Sequence, residues 1–149
     1  MHTSRTLIGA LGLTFALAIG GAACSTEDQT NAALQKAGVD ANVSTGGELP
    51  DGFPETVATP DLELESGAAV AGTYTLRYTS SDPAAEIAAY RSALEAAEFT
   101  PGGDFTNDAA AGDYQGFTAA NADYTVLASA YGPDAPGGGN YLAVVVTPL

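Results

Sequence analysis

The chain has a single cysteine, Cys24, and this residue directly follows an apolar segment that runs from Leu7 to Ala23. One cysteine cannot form a disulfide within the chain, so a folded domain must be held together by the burial of apolar surface alone. This is the layout of a secretion signal with a lipoprotein cleavage site, which has a basic residue near the start, then an apolar segment, then small residues just before a cysteine. We therefore predict a lipoprotein signal peptide over residues 1–23 and acylation of Cys24.

Two alternatives remain open at this site. Gly21 stands three residues before the cysteine, where lipoprotein signals usually carry Leu, Val or Ile, so an ordinary signal peptidase could cut after Ala23 and leave an unpaired thiol. The segment could also remain as an uncleaved anchor, although it is shorter than the ~20 apolar residues of a spanning helix and contains several glycines.

The charge of the chain is strongly negative, with 18 Asp and Glu against 4 Lys and Arg and a formal net charge of −14. Loss of residues 1–23 would remove Arg5 and leave Lys36, Arg77 and Arg91 against all 18 acids, a formal charge of −15. Such a surface repels phosphate backbones and anionic lipid headgroups. We therefore exclude nucleic acid as a partner and expect contact with a membrane only through the lipid anchor.

The predicted mature chain lacks the side chains of the common catalytic systems. The only histidine, His2, lies in the signal peptide, and the thiol of Cys24 would carry acyl chains. Neither a Ser-His or Cys-His nucleophile nor a Cys/His zinc site can then be assembled. We predict a protein that is not an enzyme and that has no cofactor and no metal site.

The segment from residue 24 to 49 is polar and rich in small residues, which is typical of a flexible tether between a membrane and a domain. The alternative is a short helix that begins near Thr26, runs through Ala37 and stops at Gly38, followed by a strand at residues 42–44. We favour the tether, so the predicted organisation is a signal peptide at 1–23, a polar tether at 24–49 and one domain at 50–149.

The domain begins with extended backbone. Three prolines between Pro50 and Pro60 exclude a helix there, and Phe53 and Val57 are expected to lie on the core. Alternation of apolar and polar residues then predicts a strand over 61–65 and a longer one over 73–79.

One helix is predicted between Ser81 and Phe99. Asp82 is suited to its N-cap and Pro83 to its first helical position. Its apolar stripe is formed by Ile87, Tyr90 and Leu94, with Ala84 and Ala97.

A loop rich in Gly, Asn and Asp is predicted from Pro101 to Asp113, before the last three strands. These strands are predicted at residues 114–119, 124–131 and 141–147. The order β-β-α-β-β-β predicts an α+β fold, a two-layer sandwich in which one antiparallel sheet packs on one helix.

These features resemble a group of small secreted lipoproteins of actinobacteria. The resemblance is carried by the cysteine after the signal, the polar tether, the Leu-Pro-Asp-Gly-Phe-Pro entry from Leu49 to Pro54, and a Tyr-x-x-x-Leu pattern from Tyr90 to Leu94. Where that group often has Gly-Phe or Gly-Trp after the helix, this chain has Glu98-Phe99. The resemblance implies a lipid-anchored α+β domain on the outer side of the cytoplasmic membrane, and it implies no catalytic residue.

Two acidic groups could carry alternative functions. Asp61, Glu63 and Glu65 would stand ~7 Å apart on one strand face, a spacing that an inverting wall-glycan hydrolase could use if a cleft raised one pKa. The loop residues Asp104 to Asp108, with Asp113, offer oxygen ligands to calcium, although the glycine and closing glutamate of an EF-hand loop are absent.

The third candidate is a binding face on the strand over 73–79. Its outer side chains are Thr73, Thr75, Arg77 and Thr79, and Tyr131 and Tyr141 could share that face. Tyrosine and threonine beside an arginine can offer hydrogen bonds and apolar area to a peptide or a glycan, although threonine is also an ordinary exposed strand residue. The sequence thus predicts a membrane-anchored binding module whose partner is an envelope protein or a glycan.

Overall fold

The computed structural model describes residues 26–107, 114–135 and 138–149. The predicted signal peptide, Cys24, Asp108 and Asp113 lie outside the described residues. Within these ranges the elements are helices α1 (Thr26–Lys36) and α2 (Pro83–Ala96) and strands β1 (Ala41–Thr45), β2 (Leu64–Val70), β3 (Thr73–Thr79), β4 (Thr100–Asn107), β5 (Tyr114–Ala120), β6 (Tyr124–Tyr131) and β7 (Tyr141–Pro148).

The strands form one seven-stranded sheet in the order β1-β2-β3-β7-β6-β5-β4, and every pair of neighbours is antiparallel. Helix α2 joins β3 to the far edge strand β4 and packs across the strands between them. The predicted α+β fold, an antiparallel sheet with a helix packed on one face, is confirmed.

Helix α2 begins and is oriented as the sequence predicts. Asp82 is the N-cap and accepts a hydrogen bond from the backbone N–H of Ala85 (3.1 Å), and Pro83 follows in the first turn. Ile87, Tyr90 and Leu94 are buried against the sheet, whereas Ala84 is exposed because it lies in the first turn, beyond the edge of the buried stripe.

The core lies between α2 and one face of the sheet. Its largest fully buried side chains come from four strands and the helix: Leu76, Tyr78, Leu94, Phe117, Val126, Leu142, Val144 and Val146. The extended segment from Pro50 to Pro60 covers the same face, with Val57 buried and the ring of Phe53 5.3 Å from that of Tyr74. This placement of Phe53 and Val57 is as predicted.

Residues 26–45 form a helix and a strand where we favoured a flexible tether. The side chain of Asn31 in α1 hydrogen-bonds both backbone groups of Val43 in β1, accepting from the N–H (2.7 Å) and donating to the carbonyl (3.0 Å). These two bonds satisfy backbone groups on the outer edge of the sheet, which an edge strand otherwise exposes. The alternative of a short helix and a strand is therefore the one that the structure has, and Gly38 ends the helix.

Two strand predictions need correction. The strand predicted over 61–65 begins at Leu64 and continues through Gly67, where a Cβ would lie 2.8 Å from the ring of Pro50. The predicted loop after Pro101 contains β4, whose pairing with β5 shifts register between Pro101 and Asp104. An edge position and a bulge tolerate the proline and glycines that led us to predict a loop.

Candidate functional site: the open face of the sheet

Helix α2 and the segment 50–60 pack on one face of the sheet, and we call the opposite side the open face. Because side chains alternate along a strand, the residues between the core positions point to this side. On the four central strands they are Thr73, Thr75, Arg77 and Thr79 of β3, Tyr141, Ala143, Val145 and Thr147 of β7, Thr125, Leu127, Ser129 and Tyr131 of β6, and Tyr114, Gly116, Thr118 and Ala120 of β5.

The structure brings the predicted binding residues together on this face. Thr75 and Thr79 are exposed, and Thr73 and Arg77 are half-buried. Tyr141 is the register partner of Thr79, and Tyr131 is the register partner of Tyr141, so the two tyrosines that we expected on this face do share it.

Three tyrosines from neighbouring strands stack side by side, and we call them the tyrosine ridge: Tyr114, Tyr131 and Tyr141. The ring centroids of Tyr131 and Tyr141 are 4.4 Å apart at an interplanar angle of 15°, and those of Tyr114 and Tyr131 are 5.5 Å apart at 27°. Phe105 of β4 extends the row with an edge contact to Tyr114 at 6.0 Å. The ridge therefore crosses the strands as a continuous aromatic row.

Arg77 closes one end of the tyrosine ridge. Its guanidinium carbon lies 3.8 Å from the centroid of the Tyr141 ring, its Nε is 2.7 Å from Glu65, and its second amino group donates to the carbonyl of Gly138 (3.4 Å). Burial and the neighbouring Tyr131 raise the pKa of Tyr141, and Arg77 opposes that rise with its charge and a hydrogen bond. The guanidinium is thus engaged within the protein.

The stacking decides which part of each tyrosine a ligand can touch. Tyr131 has a ring on either side of it, and Tyr141 lies between Tyr131 and the guanidinium of Arg77. The flat faces of Tyr131 and Tyr141 are therefore covered, and Tyr141 is buried at 8% exposure. A sugar ring stacks on an exposed aromatic face, so this geometry favours a protein surface over a glycan.

Beside the ridge, two residues further along the same strands, the side chains are small. They belong to Ala143 and Ser129, which pair across β7 and β6, and we call this row of small residues the pit. The ring of Phe105 closes one end by lying over Gly116, where a Cβ would be 2.1 Å from its Cζ atom. Leu127 and Val145 form the next row, so the pit has apolar walls of larger residues on both sides.

The open face is almost free of charge, although the chain carries 18 acids. None of the outward-facing residues of β3, β5, β6 and β7 is Asp or Glu. Glu65, at the register shift in β2, reaches the face and is paired there with Arg77. Depletion of charge with enrichment of tyrosine and arginine is the composition of the centre of a protein interface.

The two acidic alternatives find little geometric support. Asp61 and Glu63 precede β2 and Glu65 pairs with Arg77, so the three do not form the strand face predicted for a carboxylate pair. Asp104 contacts the guanidinium of Arg91 in α2, and Asp108 and Asp113 lie outside the described residues. Over the described ranges, no three His, Cys, Asp or Glu side chains converge as a metal site would require.

A shallow opening of about 400 Å³ lies at the start of α2, beside Tyr114. Its polar lining comes from Asp82, Thr106 and Gln115, and Asp82 already caps the helix. It lies on the helix side of the sheet, because Thr106, Gln115 and Ala130 alternate with the residues of the open face.

Sequence reasoning missed Phe105 and Tyr114 as members of the row. Tyr114 is the first residue of a predicted strand and lies on the same face as Gly116. Alternation along this strand, together with its register against β6, would have placed Tyr114 beside Tyr131. Phe105 stood in a predicted loop, and only the pairing of β4 with β5 brings it over Gly116.

Comparisons with family models, with curated proteins and with solved structures found no match for this chain. In the part of the chain that the structure describes, no helix has the length and apolar character needed to cross a membrane.

Proposed function

We propose that this protein is a non-enzymatic binding module of the cell envelope, held on the outer side of the cytoplasmic membrane by lipid on Cys24. It works through the open face, where it engages a protein surface. The observation that carries the binding role is the uncharged sheet face with its row of Phe105, the tyrosine ridge and Arg77, in a chain with a net charge of −14.

The lipid anchor is supported by the sequence around Cys24. Because anionic headgroups repel an acidic chain, the protein needs the acyl chains to stay at the membrane. Two or more acyl chains give stable anchoring, whereas a single chain is marginal. Wild type should enter the detergent phase in a phase-partitioning experiment, and Cys24→Ala should stay in the aqueous phase. Equal release of wild type and Cys24→Ala into the aqueous phase would contradict the proposed lipid anchor.

The binding role is tested by photo-crosslinking in intact envelopes. Leu127, on the open face, and Leu49, in the connection between β1 and β2, are exposed to similar extents at 38% and 41%. A benzophenone side chain at position 127 should give a discrete crosslinked species that the same group at position 49 does not. Identical crosslinking patterns from the two positions would contradict a role for the open face.

A further inference from the structure

We infer that the domain lies directly on the bilayer, with the first turn of helix α1 and the last residue of β1 facing the lipid headgroups. We call this part of the molecule the anchor end, and it comprises Glu27, Thr45 and the connection over residues 46–49. The inference rests on the proposed lipid anchor and goes beyond it, because it states which surface of the domain the membrane meets. The length of chain before α1 and the attachment of α1 to the sheet carry it.

The chain between the lipid and the fold is short. A flexible tether over residues 24–49 would let the domain move far from the membrane. Instead, α1 begins at Thr26, two residues after Cys24. Two residues of fully extended chain span at most ~7 Å. Acyl chains on Cys24 therefore hold the start of α1 at about that distance from the bilayer surface.

Helix α1 is fixed to the edge of the sheet. Asn31 forms two hydrogen bonds with the backbone of Val43, at 2.7 and 3.0 Å, and the carboxylate of Glu27 accepts a hydrogen bond from the hydroxyl of Thr45 (2.8 Å). The bonds of Asn31 occupy backbone groups that an edge strand otherwise leaves unpaired, so they hold the helix along β1. The short chain that links the lipid to Thr26 therefore also keeps the sheet close to the membrane.

The direction of α1 determines which end of the sheet faces the bilayer. Its first turn is bonded to Thr45, the last residue of β1, and residues 37–40 lead from its last turn to the first residue of β1, Ala41. The 11 residues of α1 give it a length of ~16 Å. The anchor end therefore faces the bilayer, and the opposite end, with the exposed side chains of Val39 and Val70, points away from it.

Charge does not reverse this orientation. The anchor end is acidic, with Glu27, Asp28 and Glu48, whereas Lys36 lies at the other end of α1. Attraction of one lysine to an anionic membrane surface is comparable with the burial of about one or two methylene groups, and acyl chains bury many more. The acyl chains therefore decide which end faces the bilayer, and the domain needs no contact with headgroups to stay there.

The anchor end is also the end of the sheet that carries the tyrosine ridge. Through the register of β1, β2, β3 and β7, Thr45 lies in the same row as Ala143, and Tyr141 lies two residues, ~7 Å, further toward this end. Five strand spacings of ~4.8 Å separate β1 from Tyr114 on β5. A partner of the open face must therefore approach to within about 40 Å of the bilayer.

The experiment places a fluorescent label near either end of α1 and measures its quenching by lipids that carry a nitroxide on the headgroup. Val39 and Leu49 are exposed to almost the same extent, 42% and 41%. Val39→Cys and Leu49→Cys each supply a free thiol for the label in the full chain as the cell makes it, because acylation occupies the thiol of Cys24. In vesicles of zwitterionic phosphatidylcholine, quenching at position 49 should be at least about twice that at position 39, because the ~16 Å length of α1 separates the two ends.

Asn31→Ala tests whether α1 holds the domain in this orientation. It removes both hydrogen bonds to Val43 and introduces a strong helix former, so the segment before β1 becomes a flexible tether. The ratio of quenching at the two positions should then fall toward one. Gln35→Ala, at an exposed position of the same helix, is the control and should keep the ratio of the parent chain. Circular dichroism verifies that each variant is folded.

Equal quenching at positions 49 and 39, or stronger quenching at position 39, would overturn the inference, and so would an unchanged ratio in folded Asn31→Ala. If the labelled proteins enter the detergent phase and are quenched equally, the direct placement on the bilayer is wrong and the proposed lipid anchor stands. If they remain in the aqueous phase and are not quenched, the anchor and the inference both fail.

Discussion

At the scale of single residues, the two helices end in the same motif with different residues at its critical position. Both ends have the paired bonds of a Schellman motif, in which the residue after the C-cap adopts a left-handed conformation. That residue is Gly38 in α1, with φ 72°, and Glu98 in α2, with φ 65°. The closing hydrogen bonds run from Gly38 N to Gln35 O and Val39 N to Leu34 O (both 3.0 Å), and from Glu98 N to Glu95 O (3.1 Å) and Phe99 N to Leu94 O (2.9 Å).

Glu98→Gly should stabilise the fold. The left-handed conformation costs a residue with a Cβ about 1–2 kcal/mol, and the greater freedom of glycine in the unfolded chain offsets part of that gain. We expect the free energy of unfolding to rise by about 0.5–1 kcal/mol, measured by urea denaturation. Gly38→Ala is the matched control and should lower it by about 1 kcal/mol; a Glu98→Gly variant no more stable than wild type would contradict this account.

Tyr78 and Tyr90 carry hydroxyl groups that are buried in the core and have no hydrogen-bond partner among the described residues. Each side chain is only 2% exposed. Because an unsatisfied buried hydroxyl retains its desolvation cost, removing it while keeping the ring should be neutral or favourable. Tyr78→Phe and Tyr90→Phe should each raise the free energy of unfolding by up to about 1 kcal/mol; a loss of that size in either would contradict the unpartnered hydroxyl.

The same two residues should make the protein sensitive to alkali. Burial raises the pKa of Tyr78 and, together with repulsion from Tyr78, that of Tyr90. A raised folded pKa contributes stability below the unfolded pKa of about 10, and that stability is lost as the pH rises above it. Wild type should therefore lose stability above about pH 10 more steeply than the double Phe variant, as thermal unfolding at several pH values would show.

At the scale of elements, the start of α2 depends on one carboxylate. Glu86 accepts hydrogen bonds from the hydroxyl of Ser80, from the hydroxyl (3.0 Å) and backbone N–H (3.1 Å) of Ser81, and from the backbone N–H of Asp82 (3.2 Å). Burial alone would raise the pKa of Glu86, but these bonds outweigh it and lower the pKa below its ordinary value. The carboxylate thus fixes the turn that leads into the helix.

Glu86→Gln should weaken this turn in a pH-dependent way. A depressed folded pKa gives stability that is present above the unfolded pKa of about 4.3 and is lost as the pH falls through the folded value. At pH 7 the variant should be less stable by about 1 kcal/mol, and the difference from wild type should shrink below about pH 4. A difference that is constant from pH 7 to pH 3 would show that the charge of Glu86 plays no part.

The sequence predicts best the elements whose signals are local. Helix α2 has its own cap and stripe, and β3 has strict alternation, so both are found close to where we expected them. Strands β1 and β4 depend on contacts distant in sequence. The first is completed by Asn31 and by pairing with β2, and the second contains Pro101 and two glycines that only an edge position tolerates.

The candidate site shows the same division. Arg77 and its threonine neighbours can be assigned to one face from alternation alone, and Tyr131 and Tyr141 fall beside them through the register of β6, β7 and β3. The stacking of the tyrosines and the closure of the pit by Phe105 depend on rotamers and on the pairing of β4. These features distinguish a face suited to a protein from one suited to a glycan.

At the scale of the whole molecule, acidic side chains dominate the surface outside the open face. Of the three Lys and Arg side chains in the described residues, Arg77 pairs with Glu65 and Arg91 with Asp104. Exposed pairs of this kind contribute at most about 1 kcal/mol, so attraction compensates little of the repulsion that a net charge of −14 brings. The folded state concentrates this charge in a smaller volume than the unfolded chain does, and repulsion should therefore lower its stability.

Added salt should then stabilise the fold. Between about 0.02 and about 0.5 M NaCl, screening of the repulsion should raise the free energy of unfolding by about 1 kcal/mol. The measurement is urea denaturation at several protein concentrations, because a salt effect on folding is independent of concentration and one on association is not. A variant with the exposed acids Asp51, Glu55 and Asp61 replaced by their amides should start more stable and respond less to salt. If salt instead lowers the stability of wild type, the two ion pairs outweigh the repulsion, and the acidic surface costs the fold nothing.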